Sequence, residues 1–166
     1  MTITIRRAEP SDAAAGAACH IACWREAYAD ILDPAVLAER TSDLVDRTER
    51  WRQMTAAPQP RWLAVTESGE IVGFSAAGPG RDDGIDIELE LYAIYVRAAH
   101  QGIGIADRLL RAAIGSAPAY LWVFEGNPRA QAFYARHGFE ADGERKIDPF
   151  FERPEIRMVR TRAGSN

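Results

Sequence analysis

The stretch from Glu88 to Leu110 reads ELELYAIYVRAAHQGIGIADRLL and decides the predicted fold. It opens within the longest β-rich run of the chain, Ile85 to Val96, which alternates at first and then becomes almost wholly apolar, as a strand buried on both faces does. A glycine-containing loop follows and opens a helix predicted over Gly102 to Ile114, with Ile105, Leu109 and Ile114 facing inward. Because the first amides of a helix have no acceptor within it, those of Gly102 to Ala106 would face an anion at the helix entrance. A glycine loop that serves only as a tight connection would carry the same residues, and that interpretation stays open.

A dinucleotide-binding unit also consists of a strand, a glycine loop and a helix, but it fits these residues poorly. Its fingerprint G-x-G-x-x-G or A needs a small third residue for close helix packing, whereas Asp107 stands there. The fingerprint should also begin directly after its strand, but Arg97 to His100 intervene. Glu125 does lie about 20 residues further on, where such a unit places its ribose-binding acid. A nicotinamide-dependent oxidoreductase is therefore the weaker hypothesis.

The same stretch resembles the GNAT acetyltransferase superfamily. Gln101 to Ala106, QGIGIA, fits the loop pattern Q/R-x-x-G-x-G/A of that family. Three further segments are similar to the family's corresponding stretches in order and spacing: Leu91 to Val96 ahead of the loop, the Leu109-Leu110 pair behind it, and the later Asn127 to Phe139, NPRAQAFYARHGF. The close resemblance covers about residues 86 to 140. Residues 8 to 60, which shape the acceptor pocket in this family, match only in outline.

The resemblance implies an α/β (α+β) fold, a single GNAT-like domain with a mixed, mostly antiparallel sheet flanked by helices. Its two central strands, here about residues 86 to 96 and 119 to 124, would splay apart. The implied activity is transfer of an acetyl group from acetyl-CoA, as co-substrate, to an amine. The main chain of Ile94, Tyr95 and Val96 would pair with the pantetheine arm like an added strand, and Asn127 would help to place the cofactor. The loop amides would hold the pyrophosphate, from residues Gln101, Gly102, Ile103, Gly104, Ile105 and Ala106.

The resemblance also places Tyr134 near the cofactor's sulfur. A phenol with a pKa near ~10 is reasonably matched to a thiol near ~8.5, so Tyr134 is the predicted general acid. A carboxylate should take the proton of the amine, directly or through water. Glu88 and Glu90 lie two apart on one strand and face the same side; we favour Glu90, although both could simply be solvated at the wet end of the strand. Plain structural roles also stay open, for Asn127 as a helix cap before Pro128 and for Tyr134 as a packed aromatic.

Three further groups of side chains have their own interpretations. Three arginines could bind the ribose phosphate or face solvent: Arg97, Arg108 and Arg129. Three aromatic side chains could line an acceptor pocket, although their helical spacing favours burial in the core: Trp24, Tyr28 and Trp51. Three histidines lack the spacing of metal ligands, so no metal site is expected: His20, His100 and His137.

The remaining pattern predicts the other elements. Helices are expected from Pro10-Asp12 to about Tyr28, from Asp33-Pro34, from about Thr41 to Met54 with Leu44, Trp51 and Met54, and from Asn127 to Gly138. Strands are expected at Ile3 to Arg7, Trp62 to Thr66, Ile71 to Ala76, Ala119 to Phe124, from Phe139 onward and at Glu155 to Val159, with a loop over Gly78 to Gly84.

Length and composition bound the function. The 166 residues suit one domain, expected over residues 1–160, with a disordered tail at 161–166. A net charge of -4 argues against nucleic-acid binding, and no apolar run approaches the ~18 residues of a membrane span. Cys19 and Cys23, four apart, suit buried thiols in a reducing cytoplasm. The expected partner is a small-molecule or peptide amine, and a homodimer is possible.

The sequence therefore predicts an N-acetyltransferase that moves the acetyl group of acetyl-CoA to a primary amine by direct attack in a ternary complex. Two alternatives stay open: an acetyltransferase of protein N-termini, and a regulatory module that binds an acyl-CoA without turning it over.

Overall fold

The computed structural model describes residues 1–162. Its helices are α1 Ala13–Tyr28, α2 Pro34–Arg40, α3 Leu44–Ala56, α4 Ile105–Ile114 and α5 Pro128–Arg136. Its strands are β1 Ile3–Arg7, β2 Arg61–Thr66, β3 Ile71–Pro79, β4 Leu89–Val96, β5 Ala119–Phe124, β6 Glu140–Ile147 and β7 Pro154–Arg160. Short 3-10 turns precede α1 and α4.

The strands form one sheet in the order β1-β2-β3-β4-β5-β7-β6. β1 with β2, β2 with β3, β5 with β7 and β6 with β7 are antiparallel. β4 and β5 are parallel, and their ladder contains the pairs Glu90–Tyr120 and Leu91–Leu121. The splaying of these two central strands stays a prediction. The expected fold, a mixed and mostly antiparallel sheet with flanking helices, is confirmed.

Contacts group the chain into two compact units, and the first comprises residues 1–77 and 93–113. In it, α1 lies against α3 where Gly16 meets the fully buried Trp51: a Cβ on Gly16 would stand 2.3 Å from the Trp51 ring. A second apolar cluster joins Val72 of β3 to Ile105 and Leu109 of α4. The inward positions predicted for α4 are therefore buried.

The second unit comprises residues 78–92 and the chain from Ile114 onward. Its core is built on β5, where Tyr120 and Leu121 are fully buried, together with Phe139 after α5. Arg160 at the end of β7 is also buried, and its guanidinium donates to the main-chain carbonyl oxygens of Gly115 and Ala117. These bonds pair main-chain carbonyl groups in the segment that follows α4. They also give the buried guanidinium hydrogen-bond acceptors, which a buried polar group needs.

The structure corrects several local predictions. The strand predicted from Ile85 starts at Leu89, and it is not buried on both faces: Glu90 and Leu91 are buried, Tyr92 is exposed and residues 93–96 are half-buried. A run of large apolar residues here reflects partial burial rather than an enclosed strand.

The helix predicted from Thr41 starts at Leu44 instead, because Asp43 caps it by accepting a hydrogen bond from the Asp46 amide. Leu44, the first residue of this helix, is exposed. The helix predicted from Gly102 starts at Ile105, and Gly78 and Pro79, predicted as loop, extend β3.

None of the helices within residues 1–162 is both long and apolar enough to cross a membrane. Of the predicted tail, Thr161 and Arg162 follow β7, and residues 163–166 lie outside the described residues. The single domain over residues 1–160 stays a prediction.

Candidate acetyl-transfer site

The loop before α4 has the geometry of an anion site. Gly102 and Gly104 have φ values of 79° and 81°, a conformation in which a side chain is strained, and no atom would meet a Cβ within 4 Å at either position. The Arg108 amide donates to the Gly104 carbonyl oxygen and closes the first turn. The amides of Ile105 to Asp107 therefore precede the first intrahelical bond, at the positive end of the helix dipole. The loop therefore leaves room for an anionic ligand to approach these amides.

Gln101 and Arg97 hold this loop in place. The side-chain amide of Gln101 donates to the Val96 carbonyl oxygen at 2.9 Å, and its main-chain amide donates to Ala98 at 3.3 Å. Arg97 forms an ion pair with Glu26 of α1 at 2.9 Å, and the same carboxylate accepts the Ala98 amide at 2.7 Å. Arg97 is thus committed to Glu26, which raises the pKa of its guanidinium, and it is the least suited of the three arginines to a ribose phosphate.

The predicted pantetheine-binding segment of β4 is half-buried, and its middle residue links it to α1. The Tyr95 hydroxyl accepts a hydrogen bond from Trp24 Nε1 at 3.1 Å and lies 2.5 Å from the Tyr28 hydroxyl. Trp24, Tyr28 and Trp51 are all buried, as core packing predicts. Ile94 and Val96 pack with the cluster around Leu109 of α4.

His20 lies at the centre of the aromatic core of the first unit. Trp51 Nε1 donates to His20 Nδ1 at 3.2 Å, and the imidazole contacts the rings of Trp24, Phe74 and Tyr95. Burial holds the pKa of His20 well below its ordinary value, and the nearby guanidinium groups of Arg47 and Arg61 add to this effect. His20 is a neutral acceptor in the core. Within residues 1–162, no group of three or more His, Cys, Asp and Glu could hold a metal ion.

Glu90, the predicted base, is only 1% exposed and is surrounded by donors within the second unit. Its Oε1 accepts from Arg81 Nη2 at 2.7 Å. Its Oε2 accepts from Arg81 Nε at 3.0 Å, from the Arg81 amide at 3.1 Å and from the Tyr120 hydroxyl at 3.2 Å. The wet-end interpretation is therefore wrong for Glu90, because Arg81 makes its burial tolerable. Glu88, two residues earlier in the sequence, is exposed.

Tyr120 and Arg81 were missed by sequence reasoning. The Tyr120 hydroxyl also accepts the amides of Arg81 and Asp82, at 2.8 and 2.9 Å, so it fixes the start of the loop before β4. Gly80 makes this approach possible, because a Cβ there would stand 2.8 Å from the Tyr120 hydroxyl. The charged loop around Arg81 and the strand with Tyr120 were both visible in the sequence, but nothing local indicated that they meet.

Asn127 and Tyr134 lie on α5 of the second unit. Asn127 Oδ1 accepts the Ala130 amide at 3.2 Å, so its role as a helix cap is real, and its role toward a cofactor stays a prediction. Tyr134 is half-buried, with ring contacts to Phe133 and Phe139 at centroid distances of 5.4 and 5.9 Å. This partial exposure is compatible with a second role for the phenol.

Comparison with known proteins decides between the interpretations of the loop. The model of the acetyltransferase (GNAT) family matches residues 24–139, which include the loop, Glu90, Asn127 and Tyr134. The chain belongs to the GNAT family. A protein of Mycobacterium tuberculosis named "Probable N-acetyltransferase" is 31% identical over 150 residues, 85% of this chain and 82% of that protein.

Two solved structures share the fold. The PaiA N-acetyltransferase of Thermoplasma acidophilum, in complex with coenzyme A, has a TM-score of 0.70 at 19% identity and covers 97% of this chain and 99% of its own. A protein of Salmonella typhimurium, with its cofactor acetyl-CoA, has a TM-score of 0.69 at 19% identity and covers 100% and 96%. This GNAT protein is an acetyl-CoA-dependent N-acetyltransferase.

Proposed function

We propose that the protein transfers the acetyl group directly to a primary amine while acetyl-CoA and the acceptor are bound together. The observation that carries this proposal is the entrance to α4, where two left-handed glycines, Gly102 and Gly104, open the first-turn amides to an anion. A polyanionic cofactor on a chain with a net charge of -4 needs such a local site. Main-chain amides can form this anion site, so lysine side chains are not required.

Most of the predicted site residues would have a role in this reaction. The amides of Gln101 to Ala106 would hold the pyrophosphate, and the main chain of Ile94 to Val96 would pair with the pantetheine arm. Acetyl-CoA supplies a thioester carbonyl that a neutral amine attacks. Tyr134 would give its proton to the leaving sulfur, and Asn127 would position the cofactor from the start of α5. A carboxylate must take the proton of the amine, and Glu90 is the residue that the sequence predicts for it.

The acceptor that we propose is an amine of a small molecule or a peptide. We also propose that the protein is cytoplasmic. Cys19 and Cys23 are buried free thiols whose Sγ atoms lie 4.0 Å apart, and free thiols suit a reducing compartment. A homodimer stays a prediction.

Two measurements test the proposed reaction. Acetyl-CoA should raise the thermal midpoint because a ligand stabilises the state that binds it, and stabilisation by NADH alone would overturn the proposal. Tyr134→Phe should keep the affinity for acetyl-CoA, measured by calorimetry, but lower turnover by roughly 100-fold as expected for loss of a general acid. Equal turnover in the two proteins would remove Tyr134 from the mechanism.

A further inference from the structure

A second carboxylate in the same unit is better suited than Glu90 to exchange a proton. The two Glu90 oxygens accept four hydrogen bonds, three from Arg81 and one from Tyr120. A carboxylate has about four acceptor sites, two on each oxygen. Three of the bonds end on Oε2, so only Oε1 keeps a site, and the residue is only 1% exposed. A general base needs an oxygen within hydrogen-bond reach of the substrate. Glu90 instead holds Arg81 and Tyr120 in position.

Glu155, at the start of β7, lies on the same face of the sheet as Glu90. It pairs with Phe124 across one ladder and with Lys146 across the other, and directly paired residues project to one face. Glu90 pairs with Tyr120 in the same way, and Tyr120 and Phe124 share a face because they lie an even number of residues apart on β5. The bond between the Tyr120 hydroxyl and Glu90 agrees with this assignment.

The Glu155 carboxylate is half-buried, and no residue within 1–162 donates a hydrogen bond to it or forms an ion pair with it. Burial, together with the neighbouring carboxylates of Asp148 and Glu90, raises the pKa of Glu155 to about 7 against the opposing effect of Lys146 and Arg81. A base with a pKa near the working pH is present in its deprotonated form and still binds a proton strongly. Glu155 has this property together with unoccupied oxygens.

We propose that Glu155 is the catalytic base of the acetyl transfer, an assignment that rests on the proposed function above. As the amine nitrogen forms its bond to the thioester carbon, a nitrogen-bound proton passes to a Glu155 oxygen. The carbon–sulfur bond then breaks, and the sulfur takes a proton from Tyr134. The products are the acetamide and the free thiol, and exchange with water moves the proton from Glu155 back to the Tyr134 phenolate. The aromatic side chains of Trp122 and Phe124 on the same face would border the acceptor.

The test compares kcat/KM against pH for the full-length protein and three variants: Glu155→Gln, Glu90→Gln and Glu144→Gln. Glu144 is an exposed carboxylate on β6 and serves as the control. Two acceptor amines of different pKa separate the ionisation of the substrate from that of the enzyme. We expect Glu155→Gln to lower kcat/KM by roughly 100-fold. It should also remove the acid limb of the pH profile whose midpoint is the same for the two amines. Glu144→Gln should leave kcat/KM and this acid limb unchanged.

Thermal midpoints and acetyl-CoA affinities of the variants identify any loss that arises from misfolding, and Glu155→Asp, which keeps the carboxylate, should restore part of the rate. Turnover of Glu155→Gln within about threefold of the wild type, or an unchanged acid limb, overturns the assignment while the proposed function stands. An acid limb removed by Glu90→Gln alone assigns the base to Glu90. Absence of amine-dependent thiol release by the wild type would instead overturn the proposed function itself.

Discussion

Replacement of Arg81 by methionine tests how the buried Glu90 carboxylate is held. The change removes the Nε and Nη2 bonds and leaves Glu90 with the amide of residue 81 and the Tyr120 hydroxyl. Loss of one partner of a buried ion pair typically costs ~3 to 5 kcal/mol. Because the Arg81 side chain is 66% exposed, water can replace part of its interaction, and we expect about 2 kcal/mol. For a chain of this length that is a fall of about 4 to 8 °C in the thermal midpoint.

The assay is urea unfolding of four proteins: the wild type, Arg81→Met, Glu90→Gln and the double variant. Glutamine accepts the same two remaining bonds without a buried charge, so the double variant should lose less than the sum of the single variants, by about 1 kcal/mol. Arg50→Met is the matched control, because Arg50 pairs with Asp46 on an exposed helix face and should cost under about 0.5 kcal/mol. If Arg81→Met costs no more than Arg50→Met, or if the cycle is additive, the ion pair does not stabilise Glu90.

Three further predictions concern the first unit. Gly16→Ala should lower the free energy of unfolding by about 2 kcal/mol in urea, because the new Cβ would stand 2.3 Å from the Trp51 ring. This overpacking should exceed the gain in helix propensity from glycine to alanine. An unchanged or higher stability would contradict the contact. Gly104→Ala should weaken acetyl-CoA binding in calorimetry at least tenfold more than Gly69→Ala, a glycine of similar positive φ in the β2–β3 turn; equal effects would mean that only backbone strain is involved. Because burial lowers the pKa of His20, the unfolded chain binds the extra proton, so the free energy of unfolding should fall below about pH 6.5 by up to ~1.4 kcal/mol per pH unit. His20→Gln should lack that part of the slope, and a slope equal to that of the wild type would show that His20 does not titrate as described.

Local signals predicted the elements that have strong caps or clear periodicity. Asp33 before Pro34 and Asn127 before Pro128 both begin helices as expected. The inward face of α4 was predicted correctly because its apolar positions recur at helical spacing. The ordered set of motifs from Leu91 to Phe139 indicated the family, which the family match confirms.

Long-range contacts could not be predicted in the same way. The partners of Glu90 lie nine and 30 residues away, on a loop and on another strand, and no local pattern indicates that they meet. A charged glutamate is expected to be exposed, so the burial of Glu90 can be predicted only when its ion pair with Arg81 is known. The half-buried state of Glu155 likewise depends on two ladders, β5–β7 and β6–β7, and not on its neighbours in sequence.

The most direct test of the acetyltransferase account is release of the coenzyme A thiol from acetyl-CoA by the purified protein across a panel of small amines and peptides. The account predicts that at least one amine accelerates thiol release and that mass spectrometry detects the acetylated amine in equal amount. Binding of acetyl-CoA with no acceleration by any amine would contradict the proposed transfer and would identify the protein as an acyl-CoA-binding module.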